Sequence, residues 1–280
     1  MNTNSILIRC GLLMLLLVAG ALVASAQSST PSREPDFIVP ARPTVSNPAE
    51  FQQPGVLQLE FGYSANFHAA GVSLAQDAPL ALRFAISRRL LLEYDGDNPI
   101  SQTAGGTRTT GLGDTQLGIQ LVLRHESESR PGIAVAYYVK LPSASSAKGL
   151  GTGRVDHNLL LMVSKKIGKT TIDFNAIYLL AGRTSTNGHA SSAQAALAVS
   201  QDLPHRFGVQ GEISGFGRND EQPGGLFVLG AVTYQVNRRL VVDGGMRAGL
   251  TPDAPRVGVF AGMTVGIANL YHHHHHGSGI

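Results

Sequence analysis

Ten ionisable residues stand where they could act together: Glu60, Arg83, Glu93, Asp114, Lys140, Asp156, Asp173, Glu212, Asp243 and Arg247. Carboxylates outnumber bases among them. A water-filled passage lined by this set would hold cations or neutral solutes in preference to anions. Most of the ten sit between residues of opposite character, as Glu60 does between Leu59 and Phe61, and Asp173 between Ile172 and Phe174. Two outcomes are open for such a row. It lines an open channel, or its members pair with one another, with hydroxyls and with Gln side chains and plug the space between them.

The elements that carry these residues are strands, because side chains alternate across a strand and the sequence alternates in step. From Val56 onward Leu57, Leu59, Phe61, Tyr63 and Ala65 share one face, and Gln58, Glu60, Gly62, Ser64 and Asn66 share the other. The same pattern returns about twelve times, ending in residues 257–271, whose Tyr271 is in phase with the apolar row. Most of the aromatic residues fall on the apolar face, and the carboxylates on the other are too numerous for the dry core of a small soluble barrel or sandwich. Short connections at 87–89, 165–169, 202–206 and 237–239, with a longer one at 125–130, alternate with long ones at 68–78, 96–112, 142–154, 182–190 and 217–224; only the last of that second set, at 250–255, is short. The reading is an antiparallel up-and-down transmembrane β-barrel of about 12 strands over residues 56–271, with the short turns periplasmic and the long loops extracellular.

Composition agrees. Charged residues make up only 15% of the chain, glycine is frequent, and 22 Lys+Arg against 19 Asp+Glu form no basic stripe, so nucleic acid is not an expected partner. Residues 1–26 read as a secretory signal: Arg9, an apolar run over 11–23, then Ala24, Ser25 and Ala26 before cleavage. Cys10 precedes that run, so the mature chain has no thiolate or disulfide chemistry. Residues 27–55, rich in Pro, Ser and Thr, read as an extended periplasmic segment, and 272–280 as a His-rich tail of purification-tag type.

Other motifs lead to blander readings. Gly149, Gly151 and Gly153 lack the spacing and the Lys-Ser/Thr ending of a phosphate loop, and Asp95, Asp97 and Asn98 lack the remaining ligands of a calcium loop. His157 on the apolar face could serve a lipid hydrolase embedded in a barrel wall, yet no Gly-x-Ser-x-Gly elbow accompanies it. No catalytic residue, metal or cofactor is expected.

Several runs resemble a known family. They are Arg42-Pro43-Thr44-Val45-Ser46, Pro54-Gly55-Val56-Leu57-Gln58-Leu59-Glu60-Phe61-Gly62, Leu82-Arg83-Phe84-Ala85-Ile86-Ser87, Gly111-Leu112-Gly113-Asp114-Thr115-Gln116-Leu117-Gly118, Lys140-Leu141-Pro142-Ser143 and Gly149-Leu150-Gly151-Thr152-Gly153. Together they resemble the outer-membrane transporter family named for the meta-pathway of phenol degradation. The resemblance implies a barrel that moves hydrophobic or aromatic compounds. The expectation is therefore a pore or passive transporter in the bacterial outer membrane, with outer-membrane lipid, the barrel assembly machinery and a small-molecule solute as its partners. The alternatives are a barrel-borne lipid-modifying hydrolase and a plugged structural barrel.

Overall fold

The structure, a computed structural model, describes residues 36–69 and 71–271; the expected signal at 1–26 and tail at 272–280 lie outside them. The described chain forms β1 (Val56–Ala69), β2 (Val72–Ala85), β3 (Leu90–Ala104), β4 (Thr107–Gly111), β5 (Thr115–Arg124), β6 (Gly132–Leu141), β7 (Asp156–Ile167), β8 (Thr170–Gly182), β9 (His189–Asp202), β10 (Phe207–Phe216), β11 (Gly225–Asn237), β12 (Leu240–Gly249) and β13 (Val257–Asn269). Every pairing is antiparallel. β1 lies between β2 and β13, the order then descends to β5 against β3, and β3 against β2 closes the sheet on itself. β4 pairs only with β3, at its far end, and continues the line of β5. The wall is thus a closed twelve-stranded antiparallel barrel, one of its staves broken at residues 112–114.

The alternation decides which face meets which solvent. In β5 Leu117, Ile119, Leu121 and Leu123 are each 43–49% exposed, while Gln120 and Val122 between them are buried. Leaving such a half-exposed row uncovered in water would cost roughly 1 kcal/mol per side chain. Its solvent is hydrocarbon, and the barrel crosses the membrane with strands; no described helix is long and apolar enough to do so. Phe61, Tyr63, Tyr137, Tyr178, Phe207, Tyr234 and Tyr271 all stand exposed on the same outer face.

Two expected long loops prove to be largely strand. Residues 68–78 contain the start of β2, and 96–112 contain the end of β3 and all of β4. Val72 and Leu74 begin an apolar row that Gln76 interrupts, and Asp77, Ser101, Thr103, Arg108 and Thr110 fill much of the rest, so no sustained period-two pattern marks these extensions. Their hairpin turns at Gly105-Gly106, with φ of 54° and 82°, the two-residue geometry that follows the twist of the strands and that only residues without a Cβ adopt freely.

The seam between first and last strands is pinned from outside. Tyr271 Oη donates to Ile86 O at 3.0 Å, its ring meets Phe84 edge-on at 6.1 Å, and Leu270 N donates to Gly55 O at 2.8 Å. Ile267, 49% exposed, stands on the lipid face of β13. Replacing Tyr271 and Ile267 together by Asp is expected to lower the membrane yield of heat-modifiable barrel by at least about twofold, since charge on the lipid face is unfavourable. An unchanged yield would show that the seam does not depend on this strand's apolar row.

Candidate functional site

The interior is organised by residues 36–53, which run as an irregular belt around the inside of the wall. An extended segment without a ladder of its own can be buried only if its backbone groups find other partners. Here the inward row of the barrel supplies them. Val39 N donates to Gln58 Oε1 and Val39 O accepts from Gln58 Nε2. Ala41 N and Arg42 N donate to the two carboxylate oxygens of Glu60 at 2.9 and 3.1 Å. Val45 N and Ser46 N donate to those of Glu212 at 3.1 and 2.7 Å. Asn47 exchanges two hydrogen bonds with Asn175, and Ala49 N donates to Ser164 Oγ. Gln120 Nε2 donates to Ala49 O, and Gln52 Nε2 to Arg83 O. The belt touches β1, β10, β8, β7, β5 and β2 in turn, and it closes on itself where Gln53 N donates to Asp36 O at 3.0 Å. The extended periplasmic segment expected over 27–55 is therefore corrected for residues 36–53: they lie inside the barrel, because carboxylate and amide side chains there satisfy a backbone that would otherwise need water.

One side chain of the belt binds β12. The Arg42 guanidinium donates from Nε and Nη2 to Asp243, both at 3.2 Å. It lies flat on the paired glycines Gly62 and Gly262, where a Cβ on either would fall 2.3–2.4 Å from it. Phe51 is buried among the inward-facing Leu91, Val122, Ala136, Tyr138, Leu160 and Met162.

The ten residues read from the sequence all occupy the inward row, in separate groups. Glu60, Glu212 and Asp243 hold the belt. Arg83 is wholly buried; its guanidinium lies 3.3 Å from Glu60 and 3.4 Å from Glu93, and donates to Val39 O at 3.0 Å. Glu93 also accepts from Tyr138 Oη. Lys140 Nζ sits between Asp114 at 3.2 Å and Asp156 at 2.6 Å, nearer the long loops. Asp173 accepts from Ser164 Oγ, and Arg247 packs beside Gly258. Much of this charge is occupied by internal partners. The belt residues Arg42, Ser46, Asn47, Glu50 and Gln52 are not among the ten; no periodicity marks them, and the one sequence signal among them is the family-like run at residues 42–46.

A cavity of about 240 Å³ remains beside the belt, lined by Arg42, Glu60, Pro79, Ala81, Asp95, Asp114 and Gln116. The facing wall differs in character. By alternation with Glu212, Phe216 of β10 points inward, and by register with Ser214 so does Phe227 of β11; their rings stack with centroids 5.6 Å apart. One side of the interior is carboxylate-rich and the other aromatic.

Three of the family-like runs meet at the broken stave. Ala144 N donates to Asp114 Oδ1 at 3.0 Å and Ser143 Oγ to Gly113 O at 3.3 Å. Buried Leu150 fills the space over Gly111, and Gly151 abuts the Asp114 carboxylate. The glycines at 149–153 thus form a loop folded against a carboxylate, the opposite of a phosphate cradle. On the outer face, Tyr137 Oη and His157 Nδ1 are hydrogen-bonded at 2.7 Å, and the His157 ring lies 5.3 Å from that of His189. A phenol and an imidazole are its neighbours there, and no described contact pairs it with a serine. Asp97 and Asn98 lie among residues whose side chains are not described.

Among solved structures, an outer membrane channel from Pseudomonas putida F1 is similar, with a TM-score of 0.62, at 14% identity over 81% of this chain and 99% of that one. The NanC porin is similar with a TM-score of 0.52, at 8% identity over 75% of this chain and 98% of that one. At these identities the likeness is one of fold. No curated protein matches the chain in sequence. A family model described as "Putative MetA-pathway of phenol degradation" matches residues 41–266, a span from inside the belt to the last strand, and the chain belongs to that family.

Proposed function

We propose that the chain is a narrow passive channel of the bacterial outer membrane that admits small uncharged compounds, hydrophobic or aromatic ones above all. The observation that carries this reading is the belt: it reduces a barrel interior to a passage bordered by the 240 Å³ cavity and faced by the stacked Phe216–Phe227 pair. Large hydrophilic solutes are excluded by size, and anions by the carboxylates of the cavity. The family's description, which names phenol degradation, supports aromatic compounds as the class, and the Pseudomonas putida barrel is likewise a channel by name. The reading includes no catalytic step. His157, the one residue the hydrolase alternative would use, is engaged by Tyr137.

Purified chain inserted into planar bilayers is expected to give discrete conductance steps with cation preference. It is also expected to release no fatty acid from the lipid, with or without His157→Ala. Fatty-acid release that disappears with His157→Ala would replace the channel reading with the hydrolase; no conductance at all would leave the plugged barrel.

A further inference from the structure

Three neighbouring hairpin turns at the short-turn rim form one surface. They lie between β7 and β8, β9 and β10, and β11 and β12. Asp202 N donates to Lys169 O at 2.8 Å, joining the first to the second, and Arg206 Nη1 donates to Val236 O at 3.0 Å, joining the second to the third. Lys169, Arg206, Arg238 and Arg239 stand exposed on this arc. Its carboxylate, Asp202, is taken by Lys166 Nζ at 2.8 Å. Arg238 and Arg239 lie over the Phe37 ring at 5.8 and 4.7 Å, a contact that positions them on the rim.

The level of these cations relative to the bilayer is set by their neighbours. Ile167, Leu203 and Val236, in or beside the same turns, are 61%, 40% and 37% exposed, and apolar side chains this open belong in hydrocarbon. Just inside them the Phe207 and Tyr234 rings pack with centroids 4.9 Å apart on the outer face, as an interfacial girdle would. Long basic side chains rooted beside immersed apolar ones extend to the headgroup layer. What lies in that layer next to four cations is phosphate.

We infer that the arc formed by Lys169, Arg206, Arg238 and Arg239 binds the headgroups of anionic phospholipids in the leaflet that the short turns enter. Guanidinium groups suit this ligand because they bind phosphate oxygens in pairs. The site is separate from the passage and does not depend on the proposed transport function.

The test is native mass spectrometry of the full barrel in a neutral detergent, titrated with phosphatidylglycerol or with phosphatidylcholine. The wild-type chain is expected to bind phosphatidylglycerol the more tightly, with the preference falling as salt rises. In the combined variant Lys169→Gln, Arg206→Gln, Arg238→Gln, Arg239→Gln it should vanish, at about fivefold for each charge removed near an anionic surface. The heat-modifiable mobility of the folded barrel reports whether that variant folds. If it does not, Arg238→Gln with Arg239→Gln, confined to one turn, is expected to lose part of the preference. Equal binding of the two lipids by the wild-type chain would overturn the inference, as would full preference in a folded variant. Displacement of the lipid by equimolar inorganic phosphate would also overturn it, since the arc would then be a free-anion site.

Discussion

Removing residues 36–53 while keeping the barrel is expected to raise the liposome swelling rate for small sugars by about tenfold or more, because a barrel of this size is narrow only where something fills it. The belt is held chiefly by side-chain acceptors on the wall: Glu60 and Glu212 each take two of its backbone N–H groups, and Asp243 takes the Arg42 guanidinium. Excising it leaves those carboxylates facing water instead of burying them, so the wall should survive. Swelling in the excised variant no faster than in the wild-type chain would mean that the passage is closed elsewhere. The long loops, including the 142–154 segment folded onto Asp114, would then be the constriction. A milder version separates the anchor from the belt. Gly262→Leu would displace the Arg42 guanidinium from its seat and should raise swelling by a smaller factor.

The largest expected loss of stability comes from Arg83→Ala. Arg83 is fully buried and is the base placed between Glu60 and Glu93. Removing one member of a buried charge set strands the others, at a cost of roughly 3–5 kcal/mol. Urea unfolding of the barrel from vesicles, followed by the heat-modifiable mobility shift, should show a destabilisation of that size. Arg83→Met with Glu60→Gln should recover part of it, because the second substitution removes a charge the first would leave exposed to a dry environment. A folded Arg83→Ala barrel with wild-type stability would show that water enters this region freely.

The wall was legible in the sequence because its two faces meet different solvents. Alternation in segments such as Leu117-Gly118-Ile119-Gln120-Leu121 is forced by hydrocarbon outside and polar groups inside. The inward placement of all ten ionisable residues follows from the same period. Where polar residues interrupt the outward row the pattern is lost, which is why the first part of β2, the end of β3 and the whole of β4 read as loop. The belt was illegible for a related reason. Its burial depends on scattered hydrogen bonds, several of them to partners more than a hundred residues away, such as Asn47 to Asn175 and Val45 to Glu212, and a Pro- and Ser-rich segment held in that way has the composition of a disordered one. The possibility that the inward charges pair among themselves was visible, as Lys140 between Asp114 and Asp156 illustrates. That four of them, Glu60, Arg83, Glu212 and Asp243, would be engaged by the chain's own N-terminal segment was not.

The most direct measurement of the central claim is the initial uptake of radiolabelled monoaromatic solutes by a porin-deficient bacterial strain carrying the chain in its outer membrane, with vector-bearing cells as the reference. Uptake of neutral phenol-type solutes above the reference, with little gain for aromatic carboxylates of the same size, is the predicted result. Uptake equal to the reference for every aromatic solute, with folded barrel present in the outer membrane, would contradict it.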